Sequence, residues 1–93
     1  MAKKEYPYEI VSNLTRHVLL EQARLTKERN KNVTLKEVYN IIGEYCGVTG
    51  HTISMIKSGN YNPSLTLALL LSQYFGTTVN ELFDLDSQVE AAE

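Results

Sequence analysis

Residues 47–59 read GVTGHTISMIKSG. They carry hydroxyls (Thr49, Thr52, Ser54), an imidazole (His51), a thioether (Met55) and an ammonium group (Lys57), punctuated by glycines at 47, 50 and 59. This is equipment for hydrogen bonding and apolar contact, at the spacing of a turn followed by a short helix that enters a DNA groove. The stretch is thin in long donors, with one Lys, no Arg and no Gln. Equipment for bond making is not visible. There is no nucleophile elbow, P-loop or paired-carboxylate motif, and Ser54, His51 and Glu44 lack the spacing of a triad. His17 and His51 have no Cys or carboxylate at ligand spacing, so neither a metal site nor a cofactor is expected, and the chain does not read as an enzyme.

The elements that must position these groups read as helices throughout, with no strand pattern. Residues 1–9 form a flexible tail stopped by Pro7. From Ile10 the apolar positions Ile10, Leu14, Val18 and Leu25 predict a long first helix of about five turns, ending before the polar ERNKN at 28–32. Thr34 and Glu37 make a capping box that starts a second helix with Leu35, Val38, Ile41, Ile42 and Tyr45 on its apolar side. Gly47 suits the left-handed stop. Thr49 caps a third helix with Ile53 and Ile56 inward, ending at Gly59. Ser64 caps a fourth, Leu65 to Phe75, stopped by Gly76. Thr78 with Glu81 makes a second capping box for a short fifth helix ending near Leu85. Gly43 stands mid-helix, where Gly costs about 1 kcal/mol relative to Ala, a cost that makes sense if another backbone passes close by.

Ninety-three residues make one small domain, 43% hydrophobic and 22% charged, with formal net charge −2. That balance is not the global signature of a nucleic-acid binder. The charge is unevenly spread, however. Between Arg16 and Lys36 six basic residues (Arg16, Arg24, Lys27, Arg29, Lys31, Lys36) face two acidic ones, while the last eighteen residues hold five acidic residues and no basic one. A domain with a basic side can meet a polyanion with that side. The single cysteine, Cys46, excludes a disulfide within the chain and reads as a small core residue; a reduced, intracellular compartment fits it. MAKKEYPYEI is too polar for a signal peptide. The longest apolar run, LALLL at 67–71, is far too short to span a membrane, so a cytoplasmic location is expected.

With the turn, the NPS that opens the fourth helix and YFGTTVNELFDLD at 74–86 in place, the region from Thr34 to Asp86 resembles the Cro/repressor-type (XRE) helix-turn-helix family of phage and bacterial regulators. The resemblance implies a compact all-α bundle of about five helices with a central helix-turn-helix. It also implies a transcriptional regulator, of repressor type, that binds double-stranded DNA as a homodimer with the third helix in the major groove. By position, the family's base-facing residues fall on Thr49, Gly50, His51, Thr52, Ser54 and Met55. Its backbone-contacting residues fall on Tyr39, Asn40, Lys57, Asn60 and Tyr61. An imidazole can donate to guanine N7 or O6, hydroxyls can donate or accept, and a thioether packs on a thymine methyl. Asn60, Tyr61 and helix N-terminal amides suit phosphates.

Three departures stand out. Gly50 occupies a position where the family often carries a long polar side chain, which removes one bidentate contact. The capping box starts the second helix about one turn early, roughly 6 Å of extra helix, and adds Lys36 to the backbone-contacting set. The first helix is long, and its basic end (Arg24, Lys27, Arg29, Lys31) is placed to flank a duplex. The fourth helix is apolar nearly all round, so Leu67 and Leu70 are expected at a dimer or partner surface, unless they pack against the long first helix. The expected organisation is therefore a tail at 1–9, a helix-turn-helix domain at 10–86 and an acidic tail at 87–93. The alternative function is a protein-interaction module, an antirepressor or adaptor or less readily an antitoxin, that keeps the fold and acts on a protein partner through the fourth helix.

Overall fold

Helix caps punctuate the chain where hydroxyl side chains precede apolar runs. The structure, a computed structural model, describes residues 8–87. Its elements run β1 (Tyr8–Ser12), α1 (Leu14–Arg29), α2 (Leu35–Cys46), α3 (Gly50–Lys57), α4 (Leu65–Phe75), α5 (Val79–Leu82) and β2 (Phe83–Ser87). The body is the expected small all-α bundle. At α2 the Thr34 hydroxyl accepts the Glu37 amide at 3.1 Å and the Glu37 carboxylate accepts the Thr34 amide at 2.9 Å, so both halves of the capping box form. The Thr49 and Ser64 hydroxyls cap α3 and α4 by accepting the Thr52 and Leu67 amides. At Thr78 the hydroxyl half of the second box forms, onto the Glu81 amide at 3.2 Å.

Two boundaries differ from expectation. The first helix begins at Leu14 rather than Ile10, and the last ends at Leu82 rather than near Leu85, because the flanking residues pair instead as an antiparallel ribbon. Ile10 stands opposite Leu85 and Ser12 opposite Phe83. Ile10 and Val11 are β-branched and favour a strand once a partner is present. That partner lies at the other end of the chain, so local periodicity does not reveal it. Tyr8, Glu9 and Ser87 consequently belong to strands rather than to tails; residues 1–7 and 88–93, the rest of the expected tails, lie outside the described residues.

The core gathers Leu14, Val18 and Leu25 of α1, Val38, Ile42 and Cys46 of α2, Ile53 and Ile56 of α3, Leu67 and Leu71 of α4, and Leu82 of α5. Burial pushes the Cys46 thiol pKa up, which suits a packing role. The seam between α1 and α4 is polar at its rim. The Tyr74 hydroxyl donates to the Glu21 carboxylate, which also takes a bidentate pair from Arg24 at 2.8 and 2.9 Å. His17 is not the plain surface residue that its spacing suggests: its ring centroid lies 5.5 Å from that of Phe75, and its Nε2 is buried with no hydrogen-bond partner among the described residues.

The joint of α2 and α3 depends on Gly43 and Gly47. Gly47 takes φ 79°, a left-handed value open to glycine at little cost. A Cβ on Gly43 would stand 2.6 Å from the Val48 carbonyl oxygen and 3.0 Å from Thr49, both backbone. The close approach inferred from the glycine's mid-helix position is therefore present.

Two outcomes follow from this packing. Gly43→Ala should destabilise the fold by about 1–3 kcal/mol, despite alanine's better helix propensity, because backbone must shift; a urea midpoint equal to wild type would show that the contact yields freely. The second concerns acid. The Arg24 guanidinium, assisted by the Tyr74 hydroxyl and opposed by burial, holds Glu21 below its ordinary 4.5. A depressed carboxyl contributes stability above its unfolded value and loses it as pH falls through the folded value. Glu21→Gln should therefore flatten the decline in melting temperature below pH 4.5; an unchanged slope would remove Glu21 as its source.

Candidate nucleic-acid interface

Helical geometry divides α3 into two faces. Gly50, Ile53 and Ile56 are buried, while His51 is exposed and Thr52, Ser54 and Met55 are half-buried beside it. At the helix start the Thr49 hydroxyl accepts the Thr52 amide at 3.2 Å and lies 3.1 Å from the Thr52 hydroxyl. One of these two hydroxyls donates to the other, so together they retain one O–H for an outside acceptor.

The beginning of α3 and the first two turns of α2 enclose an open groove of about 320 Å³ lined by Lys36, Tyr39, Asn40, Gly50, His51 and Ser54. Residues expected to meet bases and residues expected to meet phosphates thus share one concavity. Lys36 stands there because α2 starts at Thr34, which gives the early helix start a definite consequence. At the far end of α3 the Lys57 ammonium sits 6.0 Å from the centroid of the Tyr39 ring, within reach of a cation–π attraction. The following loop turns at Gly59, φ 82°, with the Gly59 amide on the Ile56 carbonyl and the Asn60 amide on the Met55 carbonyl. This paired closure sets Asn60 and Tyr61 on the surface.

Three expectations change on contact with the geometry. Gly50 does not face outward. It is buried against α2, where a Cβ would stand 2.1 Å from Asn40 Oδ1 and 3.0 Å from the Asn40 backbone nitrogen. Its missing side chain makes room for Asn40. Leu67 is 7% exposed and belongs to the core, so it cannot form a partner surface, and Leu70 is partly buried against that core. The exposed α4 leucines are instead Leu65 (72%) and Leu69 (48%). Arg24 is not free for a phosphate, being paired with Glu21 and, at 3.5 Å, with Glu28. Among the described residues, Lys27, Arg29, Lys31, Lys36 and Lys57 make no ion pair. No group of three His, Cys, Asp or Glu among the described residues could hold a metal ion.

The Asn40–Gly50 contact was beyond reach of the sequence, since only the crossing of α2 over α3 makes those residues neighbours. The signal that existed was the second glycine itself, near the helix start.

A capped helix, a tight glycine turn and a second short helix packed on the first define a helix-turn-helix protein. Two relatives carry the same description. Over 47 residues the chain is 38% identical to YgzD of Bacillus subtilis (strain 168), an uncharacterised HTH-type transcriptional regulator; the match spans 50% of this chain and 71% of that protein. Over 59 residues it is 30% identical to an uncharacterised HTH-type transcriptional regulator of Methanocaldococcus jannaschii, spanning 59% of this chain and 89% of that one. No family model matches. The chain belongs to the HTH-type transcriptional regulators.

The Gly50 packing is testable. Gly50→Ala should cost about 1–3 kcal/mol in urea denaturation, and Asn40→Ala in the same chain should restore much of the loss by removing the opposing amide. Equal loss in single and double variants would show that the backbone nitrogen, not the Asn40 side chain, sets the limit.

Proposed function

We propose that this protein is a sequence-specific DNA-binding transcriptional regulator, a repressor of phage or mobile-element type, that acts in the cytoplasm as a homodimer with α3 in the major groove. The observation that carries this reading is the single groove in which Lys36, Tyr39 and Asn40 of α2 meet His51 and Ser54 of α3. His51, Ser54, Met55 and the Thr49–Thr52 hydroxyl pair address base edges, while Lys36, Lys57, Asn60 and Tyr61 hold phosphates. With Gly50 turned inward, direct readout rests on few side chains, and sequence-dependent groove shape supplies a larger share of specificity. Two copies on half-sites about 34 Å apart would block polymerase sterically.

Exposed Leu65 and Leu69 favour a second reading, a protein-interaction module that acts through α4. Among the described residues no helix is long and apolar enough to cross a membrane.

Fluorescence anisotropy on fragments flanking the protein's own gene, at low and at physiological salt, tests the first reading. One fragment should bind far better than bulk DNA. His51→Ala and Met55→Ala should erase that preference, whereas Lys36→Ala and Lys57→Ala should weaken all fragments alike and each reduce the salt slope by about 1. Absence of binding at low salt would overturn the regulator reading and select the α4 partner surface.

A further inference from the structure

The ribbon of β1 and β2 is the least self-sufficient part of the fold. A two-stranded antiparallel pair is marginal alone in water, and a stable sheet needs three or more strands or a covering element. Among the described residues this ribbon has no third strand, both outer edges are unpaired, and at its base Phe83 packs partly against the core. Ile10 (38% exposed) and Leu85 (65% exposed), cross-strand partners on one face, leave an apolar strip in solvent. A further strand on β1 would satisfy its open edge and cover part of this strip.

We propose that β1 pairs antiparallel with β1 of a second copy, about a twofold axis at Ile10, to make a continuous four-stranded sheet in the order β2-β1-β1-β2. The choice of a second copy rests on the strand's own pattern. Between Pro7, which has no amide to donate, and the start of α1 at Leu14, the strand YEIVS offers five residues. Their largest self-overlap is centred on Ile10. That register sets Ile10 against Ile10 and Glu9 against Val11, so no like charges meet. The β2 edge fails the same test, because FDLDS centred on Leu85 sets Asp84 against Asp86. Pairing β1 with β2 of another copy is head-to-tail, so it builds rings or filaments rather than a closed twofold dimer. This dimer deepens the homodimer of the proposed function and rests on that part of it, but not on DNA binding.

Site-directed crosslinking of the full chain without DNA tests the proposal. Residues directly opposite in antiparallel strands have Cα atoms about 4.5–5.5 Å apart, within disulfide range. Ile10→Cys under mild copper–phenanthroline oxidation should run mostly as a covalent dimer on a denaturing gel. Leu85→Cys, separated from its symmetry mate by three strand spacings or about 14 Å, should stay monomeric, as should wild type with its buried Cys46. In sedimentation equilibrium Ile10→Glu should raise the dimer dissociation constant at least about tenfold, with helical circular dichroism retained. The proposal is overturned by a wild-type chain that sediments as a monomer at micromolar concentration. It is equally overturned by a wild-type dimer in which Ile10→Cys does not crosslink, or by crosslinking through Leu85→Cys. A dimer with these properties that binds no DNA counts against the regulator reading alone, and a monomer that binds an operator counts against the ribbon pairing and the homodimer but not against DNA binding.

Discussion

The placement of α3 depends on two close backbone approaches, both made where a side chain is missing. Gly43 of α2 receives the Val48–Thr49 turn, and Gly50 of α3 receives Asn40 of α2. Each helix supplies one glycine to the joint. Helical glycine costs about 1 kcal/mol against alanine, which interior burial offsets. Val38, Ile42, Ile53 and Ile56 are fully buried around the joint, and full burial of one such side chain contributes roughly 1.5–3 kcal/mol. Because packed interiors resist small added volumes, the crossing angle is held rather than sampled.

That fixed angle decides what the outer face of α3 presents. Ile53 and Ile56 point inward, so His51 and Ser54 are carried into the groove beside Tyr39 and Asn40. Glycine at position 50 has two consequences that cannot be separated. It permits the tight crossing, and it withdraws a position that could otherwise hold a long polar reader. The resulting surface is short of base-edge donors but retains cations at both ends, Lys36 near the start of α3 and Lys57 over Tyr39. A surface of that kind secures position along a phosphate backbone more strongly than it discriminates bases.

Much of the bundle was legible because helix boundaries here are written in local chemistry. Thr34 with Glu37, Thr49, Ser64 and Gly76 each stand within a turn of the boundary they set, and the structure places them there. Gly43 was legible for a similar reason, since a mid-helix glycine needs a packing cause. The ribbon was not legible, because Ile10 satisfies a helical period with Leu14 and only Leu85, distant in sequence, makes it a strand. Leu67 was misplaced for a related reason. An all-round apolar helix has no polar face to show which leucines turn inward. The packing of α4 against α2 and α5 decides it, burying Leu67 and Leu71 while leaving Leu65 and Leu69 in solvent. His17 and Gly50 likewise take their environments from partners, Phe75 and Asn40, that no local pattern identifies.

The ribbon is joined to the body without slack. Only Asn13 separates β1 from α1, and β2 continues directly from α5. The Asn13 amide donates to the Leu82 carbonyl at 2.8 Å, which clamps the two ends of the chain at the base of the ribbon. α1 packs against α2 and touches α3. Any assembly built on the ribbon therefore inherits its geometry from the helical body and not from a flexible linker. For a twofold pair joined at β1, the distance and tilt between the two α3 helices would be set by the same glycine contacts that orient each α3 within its own chain. Half-site spacing and groove entry would then be one structural property, and a change at the α2–α3 joint would alter both together.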